Sequence, residues 1–238
     1  MTPLQRVRLE KAAADCGFEM TPVEHIEGLE LRSALFPESV VVRPVGDLSF
    51  EVSASNAQIV SNAAGGVAYV ARGFSELYDA LRAAAARART LPNRVADNFR
   101  WQTANLQRST EAERLVVQRV GQNLFRASLL DYWQGHCCVS GLGIAELLRA
   151  SHIKPWALCA DDDERLDVFN GFLLAPHLDA LFDAGLLTVD FDGAVRMSAR
   201  VDRKDIESLG LPNSMAVSGL HDRHRHYLAF HHAKVWRG

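Results

Sequence analysis

ASHIKPW (residues 150–156) and NGFLLAPHLDALFDAG (170–185) decide how this chain is read. Pro155 keeps Lys154 out of the helical region, so the first stretch is an extended approach to a turn. Asn170-Gly171 is a turn signal, and FLLAP after it reads as a short strand. HLDALFDAG reads as a short helix with Leu178, Leu181 and Phe182 on its apolar side, and Gly185 stops it. LLTVDFDGAVRMS (186–198) alternates apolar residues around Asp192-Gly193 and predicts a hairpin. An acidic loop, ALCADDDERLDVF (157–169), separates the two stretches.

Chemistry-bearing side chains crowd this region: His152, Lys154, Asn170, His177, Asp179 and Asp183. Asp179 and Asp183 are four apart and share a helix face. Carboxylate oxygens with water completing the shell suit a hard divalent cation such as Mg²⁺. His177 and Asp179 diverge by about 200° on a regular helix. They converge on one ion only if His177 still lies in the cap. A neutral histidine can deprotonate water near neutral pH. Together these are the parts of metal-assisted phosphodiester hydrolysis. Each residue alone also has an ordinary structural reading, as a loop histidine, a turn asparagine or a solvated acid. The ordered combination is what favours chemistry.

Upstream, Thr110 and Glu113 form a capping-box pattern. Behind it EAERLVVQRVGQNLFRASLLDYW repeats apolar residues at helical spacing, from Leu115 to Trp133. Gly121 inside that helix costs about 1 kcal/mol against alanine, which implies close packing there. HCCVSG (136–141) reads as a short strand ending in a turn, and GIAELLRA as a helical turn or two.

The order of these pieces from about 110 to 200 resembles the HNH endonuclease family, a ββα-metal fold, and more narrowly its bacterial restriction-type branch. The residues that carry the resemblance are the long helix before Cys-Val-Ser-Gly, ELLRASHIKPW, RLDVFNGFLLAPHLDALFDAG and the hairpin after it. The resemblance implies that His152 is the general base and that Asn170 ties its loop and orients it. It puts a metal ligand at Asp179, where relatives carry histidine, with His177 and Asp183 as further candidate ligands. The implied cofactor is one Mg²⁺ or Mn²⁺ per site. Ser151 stands where many relatives have a further ligand, Asp or His. Relatives often hold a structural zinc with two CxxC pairs. Here Ala175 and Leu178 occupy the second pair's positions, so no structural zinc is expected. Lys154, Arg149 and Arg126 are the candidate phosphate and DNA contacts.

The wider composition fits this reading. The chain has 238 residues, 48% hydrophobic and 23% charged, with a net charge of −3. No apolar run is long enough for a membrane span. The first twenty residues carry charges throughout, unlike a secretory signal, so a cytoplasmic protein is expected. Cys16, Cys137, Cys138 and Cys159 form no CxxC and read as buried thiols. Charge is uneven. Residues 81–110 carry Arg82, Arg87, Arg89, Arg94, Arg100 and Arg108 against Asp97. Residues 221–238 are rich in histidine and arginine. Either segment can supply a phosphate track. The tail reads as a solvated basic helix rather than a metal site.

The expected fold class is α+β. A small N-terminal α/β or α+β domain of unknown role covers residues 1–90, a linker 91–109, and an HNH domain with a helical tail 110–238. In the first domain, residues 3–16 read as a helix stopped by Gly17. SVVVRPV and LSFEVSA read as strands joined at Gly46-Asp47, GVAYVA (66–71) as a third strand, and the alanine-rich stretch opened by Ser75 as a helix ending near residue 89. Two functions stay open: a metal-dependent DNA endonuclease of restriction or defence, and a catalytically weak HNH fold that binds DNA or a partner. An RNA nuclease is a third reading. DNA is the expected partner, with a homodimer possible for cutting both strands.

Overall fold

The computed structural model describes residues 2–26, 28–46, 48–60, 68–91, 93–107 and 109–238. It divides into two compact units, Met1–Leu91 and Pro92–Gly238. Among the described residues no helix is long and apolar enough to cross a membrane.

The first unit is α+β. Helix α1 (Pro3–Asp15) opens on a capping box between Thr2 and Gln5. It ends at Gly17, whose φ of +94° suits a residue without a side chain. Strands β1 (Met20–His25), β2 (Gly28–Arg32), β3 (Val40–Pro44), β4 (Ser49–Ala54) and β5 (Ala68–Arg72) form an antiparallel meander in sequence order. Helix α2 (Gly73–Arg89) follows. The hairpin expected over 39–54 is β3 with β4, paired from Val40↔Ala54 to Pro44↔Phe50. Asp47 in its turn, and residues 66 and 67 of the expected third strand, lie outside the described residues. β1 and β2 are strands that the sequence pattern does not announce. β2 alternates cleanly, with Leu29 and Leu31 fully buried, but two apolar residues among charges are too short a pattern to read. The core joins Leu9 and Ala12 of α1, the inward residues of β2–β4, and Leu77, Leu81, Ala84 and Ala85 of α2.

The second unit begins where a linker was expected. Residues 94–103 form helix α3 (Arg94–Thr103), which buries Val95, Ala96, Phe99 and Thr103. The apolar set is small and one member is threonine, which bonds its hydroxyl back to the Phe99 carbonyl at 2.8 Å. Composition therefore hides the packed face. Pro92 and Arg108 at its flanks lie outside the described residues.

Helix α4 (Glu111–Tyr132) carries the expected capping box, with Glu113 N–H on the Thr110 hydroxyl and Thr110 N–H on the Glu113 carboxylate. Gly121 is explained by packing. A Cβ there would lie 2.9 Å from the Trp156 indole and 3.3 Å from the Phe99 ring.

Strands β6 (Arg149–His152) and β7 (Gly171–Leu174) pair antiparallel, and helix α6 (Pro176–Asp183) follows directly, giving the ββα unit. Between the strands lie a 3-10 turn (Trp156–Leu158), the one-turn helix α5 (Asp162–Arg165) and a second 3-10 turn (Val168–Asn170). Residues 136–141 are a turn, not the expected strand. Cys137 N–H bonds the Leu142 carbonyl, and the Cys137 Sγ accepts the N–H groups of Ser140 and Ala175, each at 3.3 Å. The hairpin over 186–198 is β8 (Leu187–Val189) with β9 (Val195–Met197). Helix α7 (Arg203–Ser208) precedes the last helix, α8 (His224–Lys234).

α8 is not a solvated basic helix. His224, Tyr227, Leu228 and His231 recur at i, i+3, i+4 and i+7 and are buried. His231 stacks on Phe182 at 4.1 Å, with Nδ1 on the Thr188 hydroxyl and Nε2 on the Phe182 carbonyl. His224 stacks on Phe172. Burial lowers both pKa values to about 4, so both rings are neutral. A neutral imidazole is a flat, largely apolar ring, which lets a histidine-rich helix serve as core.

Candidate active site

His152 ends β6 and lies opposite Gly171 in the ladder. Residues opposite one another in an antiparallel pair point to the same face. On that face stands α4. The His152 ring stacks on Phe125 at 3.8 Å and meets the edge of Trp156 at 5.4 Å. Its Nε2 lies 2.8 Å from the Arg165 carbonyl. A carbonyl only accepts, so Nε2 carries the proton and Nδ1 holds the lone pair. Nδ1 has no hydrogen bond from another described residue and is not a buried orphan. Burial lowers the His152 pKa to about 4, against which the carbonyl bond pulls upward. The ring is neutral at pH 7, with its basic nitrogen available.

Asn170 is fully buried. Its Oδ1 accepts Lys154 N–H at 2.8 Å, and its Nδ2 reaches the carbonyls of Glu164 (3.1 Å) and Lys154 (3.3 Å) and the Cys159 Sγ (3.4 Å). One amide side chain thus pins both ends and the middle of the loop between the strands.

Ser151 precedes His152 and so points to the other face of the ribbon. It is buried, and its hydroxyl lies 3.3 Å from Asp183 Oδ1 on α6. The same hydroxyl interacts with Asp179. Loss of water raises the pKa of both carboxyls; the Asp179 charge raises Asp183 further. Arg149, exposed at the start of β6, draws Asp179 down. Two mutually repelling carboxylates one helical turn apart, with a hydroxyl beside them, are a hard-oxygen set that fits Mg²⁺ or Mn²⁺. Among the described residues no three His, Cys, Asp or Glu side chains assemble into a metal-binding group.

Three candidates have other surroundings. α6 has Ala175 as its cap and Pro176 as its first residue, so His177 is already helical and turned away from Asp179. The condition for their convergence is not met. Lys154 Nζ sits between both carboxylate oxygens of Glu164 at 2.7 Å, largely buried, and over the Phe230 ring at 5.2 Å. It closes the loop and is not a free phosphate contact. Arg126 donates to the Leu148 and Ala145 carbonyls at 2.6 and 2.7 Å, so it fastens the turn before β6. Burying a cation without such partners would be costly, which is why these two are engaged.

Phe125, Glu164 and Arg165 are the residues sequence reading missed. Glu164 and Arg165 lay inside an acidic loop, and the service Arg165 gives His152 comes from its backbone, which no side-chain pattern encodes.

Residues 137–190 match the family model described as HNH endonuclease. The span covers the Cys137 turn, both strands of the ribbon, the loop between them, α6 and β8. The second unit therefore carries an HNH endonuclease domain, and the α+β class with a C-terminal ββα unit is as expected. No curated protein matches the chain.

Proposed function

We propose that the chain is a divalent-metal-dependent DNA endonuclease that hydrolyses phosphodiester bonds with His152 as general base. The observation that carries this is the geometry of His152: its ring is held in one tautomer by the Arg165 carbonyl, and among the described residues none bonds Nδ1. That nitrogen takes a proton from water, and the hydroxide attacks phosphorus in line. The loop pinned by Asn170 keeps the imidazole in place through the step. Asp179, Asp183 and Ser151 are the residues that would hold Mg²⁺ or Mn²⁺, one ion per site. A cation bound there would supply positive charge against the phosphate and the leaving 3′ oxygen. Arg149 is the candidate phosphate contact that remains exposed and lies beside the acids.

The base and the acids occupy opposite faces of β6. A phosphate engaging both must therefore lie at the strand's open edge, where the backbone of one DNA strand fits and base edges need not be read. Sequence or modification specificity then falls to residues 1–90. A footprint of the second unit alone that matched that of the full chain would remove this assignment. Restriction or defence is the setting the resemblance implies, and preferential cutting of either plain or cytosine-modified DNA would support it.

The deciding experiment is nicking of supercoiled plasmid with Mg²⁺, Mn²⁺ or EDTA, comparing the natural chain with His152→Ala. Metal-dependent nicking that vanishes in the variant is expected. DNA binding without cleavage under either metal would favour the alternative, a binding module, for which serine at 151 is the specific observation.

A further inference from the structure

We propose that the side chain of Arg165 is a positioning residue for His152, acting through its own backbone carbonyl. This rests on the reading of His152 as the base. α5 is a single turn, Asp162–Arg165, and the last carbonyls of any helix lack partners within it. The Arg165 carbonyl is one of these, and His152 Nε2 takes it at 2.8 Å. A one-turn helix is not stable by itself. Its end must be fixed from outside, and the Arg165 guanidinium does this. It donates to the Cys159 carbonyl at 2.9 Å, to Asp162 Oδ1 at 3.0 Å and to the Trp156 carbonyl at 3.4 Å. The three acceptors lie on the 3-10 turn, on the residue after it and on α5. The guanidinium therefore ties α5 back onto the stretch that carries Trp156, and Trp156 itself meets the His152 ring edge. Asn170 holds the neighbouring carbonyl, that of Glu164, at 3.1 Å. One turn of backbone is clamped from both sides, and its terminal oxygen is aimed at the imidazole.

Lysine cannot replace the fork. It offers a point charge to Asp162 but not the planar array that reaches two carbonyls as well. Without the clamp the carbonyl is free to drift, the imidazole loses its tautomer lock, and misplacement of a catalytic group by about 1 Å costs on the order of 100-fold in rate.

The test uses the full-length chain with Arg165→Ala and Arg165→Lys, at a pH where His152 is neutral. Ring ¹⁵N NMR reads the His152 tautomer, and plasmid nicking gives kcat and KM. The natural chain should show the Nε2–H tautomer alone. Both variants should show mixed tautomers, with kcat reduced roughly 10- to 100-fold and KM little changed. If Arg165→Ala does not fold, Arg165→Lys, which keeps the stem and the charge, is read alone. A folded variant that keeps the single Nε2–H tautomer overturns the proposal. So does one with mixed tautomers and undiminished kcat. If the natural chain nicks no DNA, the nuclease reading fails, and the tautomer comparison still decides whether Arg165 holds the imidazole.

Discussion

Gly171 lies directly across the β6–β7 ladder from His152, and the room its missing side chain leaves is filled by α4. A Cβ at 171 would stand 2.5 Å from Phe125 Cζ and 2.7 Å from Leu129 Cδ1. Phe125 is the ring on which His152 stacks. The glycine of the Asn-Gly pair serves not a turn but this contact; its φ is −149°, ordinary for a strand.

Gly171→Ala should therefore overpack the helix–ribbon contact and cost about 1–3 kcal/mol, typical for an added methylene in a full core. Urea denaturation checks this. Phe125→Leu combined with Gly171→Ala should recover part of the loss. A neutral Gly171→Ala would mean that α4 stands further from β7 than described.

Asn170→Ala removes four polar contacts from a fully buried side chain and leaves Lys154 N–H without its acceptor. An orphaned buried group costs about 1–3 kcal/mol. The variant should lose stability and also nicking, because the loop that carries the Arg165 carbonyl is released. Thermal melting and plasmid nicking on the same preparation read both effects.

Arg149 and Lys154 should separate. Arg149→Ala should weaken DNA binding and flatten its salt dependence, with the melting temperature little changed, since the side chain is exposed beside the acids. Lys154→Ala should lower stability, because it leaves Glu164 partly buried without its cation. Equal loss of DNA affinity with no loss of stability in Lys154→Ala would sink this division.

His224 and His231 set a pH limit on the fold. Their folded pKa values are lowered to about 4 by burial; the His221 and Phe182 carbonyls pull upward, while the charges of Arg223 and His232 push the same way as burial. The unfolded chain binds these protons first, at a pKa of about 6.5. Stability is thus full above the unfolded pKa and is lost as pH falls toward about 4. Each histidine contributes roughly 3 kcal/mol over that window, at about 1.4 kcal/mol per unit. Denaturation midpoints between pH 7.5 and 4.5 should fall, and less steeply in His231→Gln.

The ribbon, α6, α4 and the last hairpin are legible in the sequence because each has a long or strongly punctuated pattern. His152 and Asn170 are expected at the site from their place in the family order, and the structure sets one at the end of β6 and the other at the end of the loop that follows it. α3 is not, because its buried face is two small or polar residues and only two larger apolar ones. α8 is not, because histidine reads as a charge when it is in fact a neutral ring against Phe172 and Phe182. The misplaced cations share a cause: sequence gives the charge of Lys154 and Arg126 but not the carboxylate or carbonyls that already hold them.

α8 and the residues flanking it also fasten the loop from behind: Tyr227 and Arg223 both donate to Asp167, three residues before Asn170, and Arg237 N–H bonds the Gly185 carbonyl just after α6. The loop that holds Asn170 is therefore secured from outside the matched span of residues 137–190, and a change confined to α8 reaches it without altering any residue of that span.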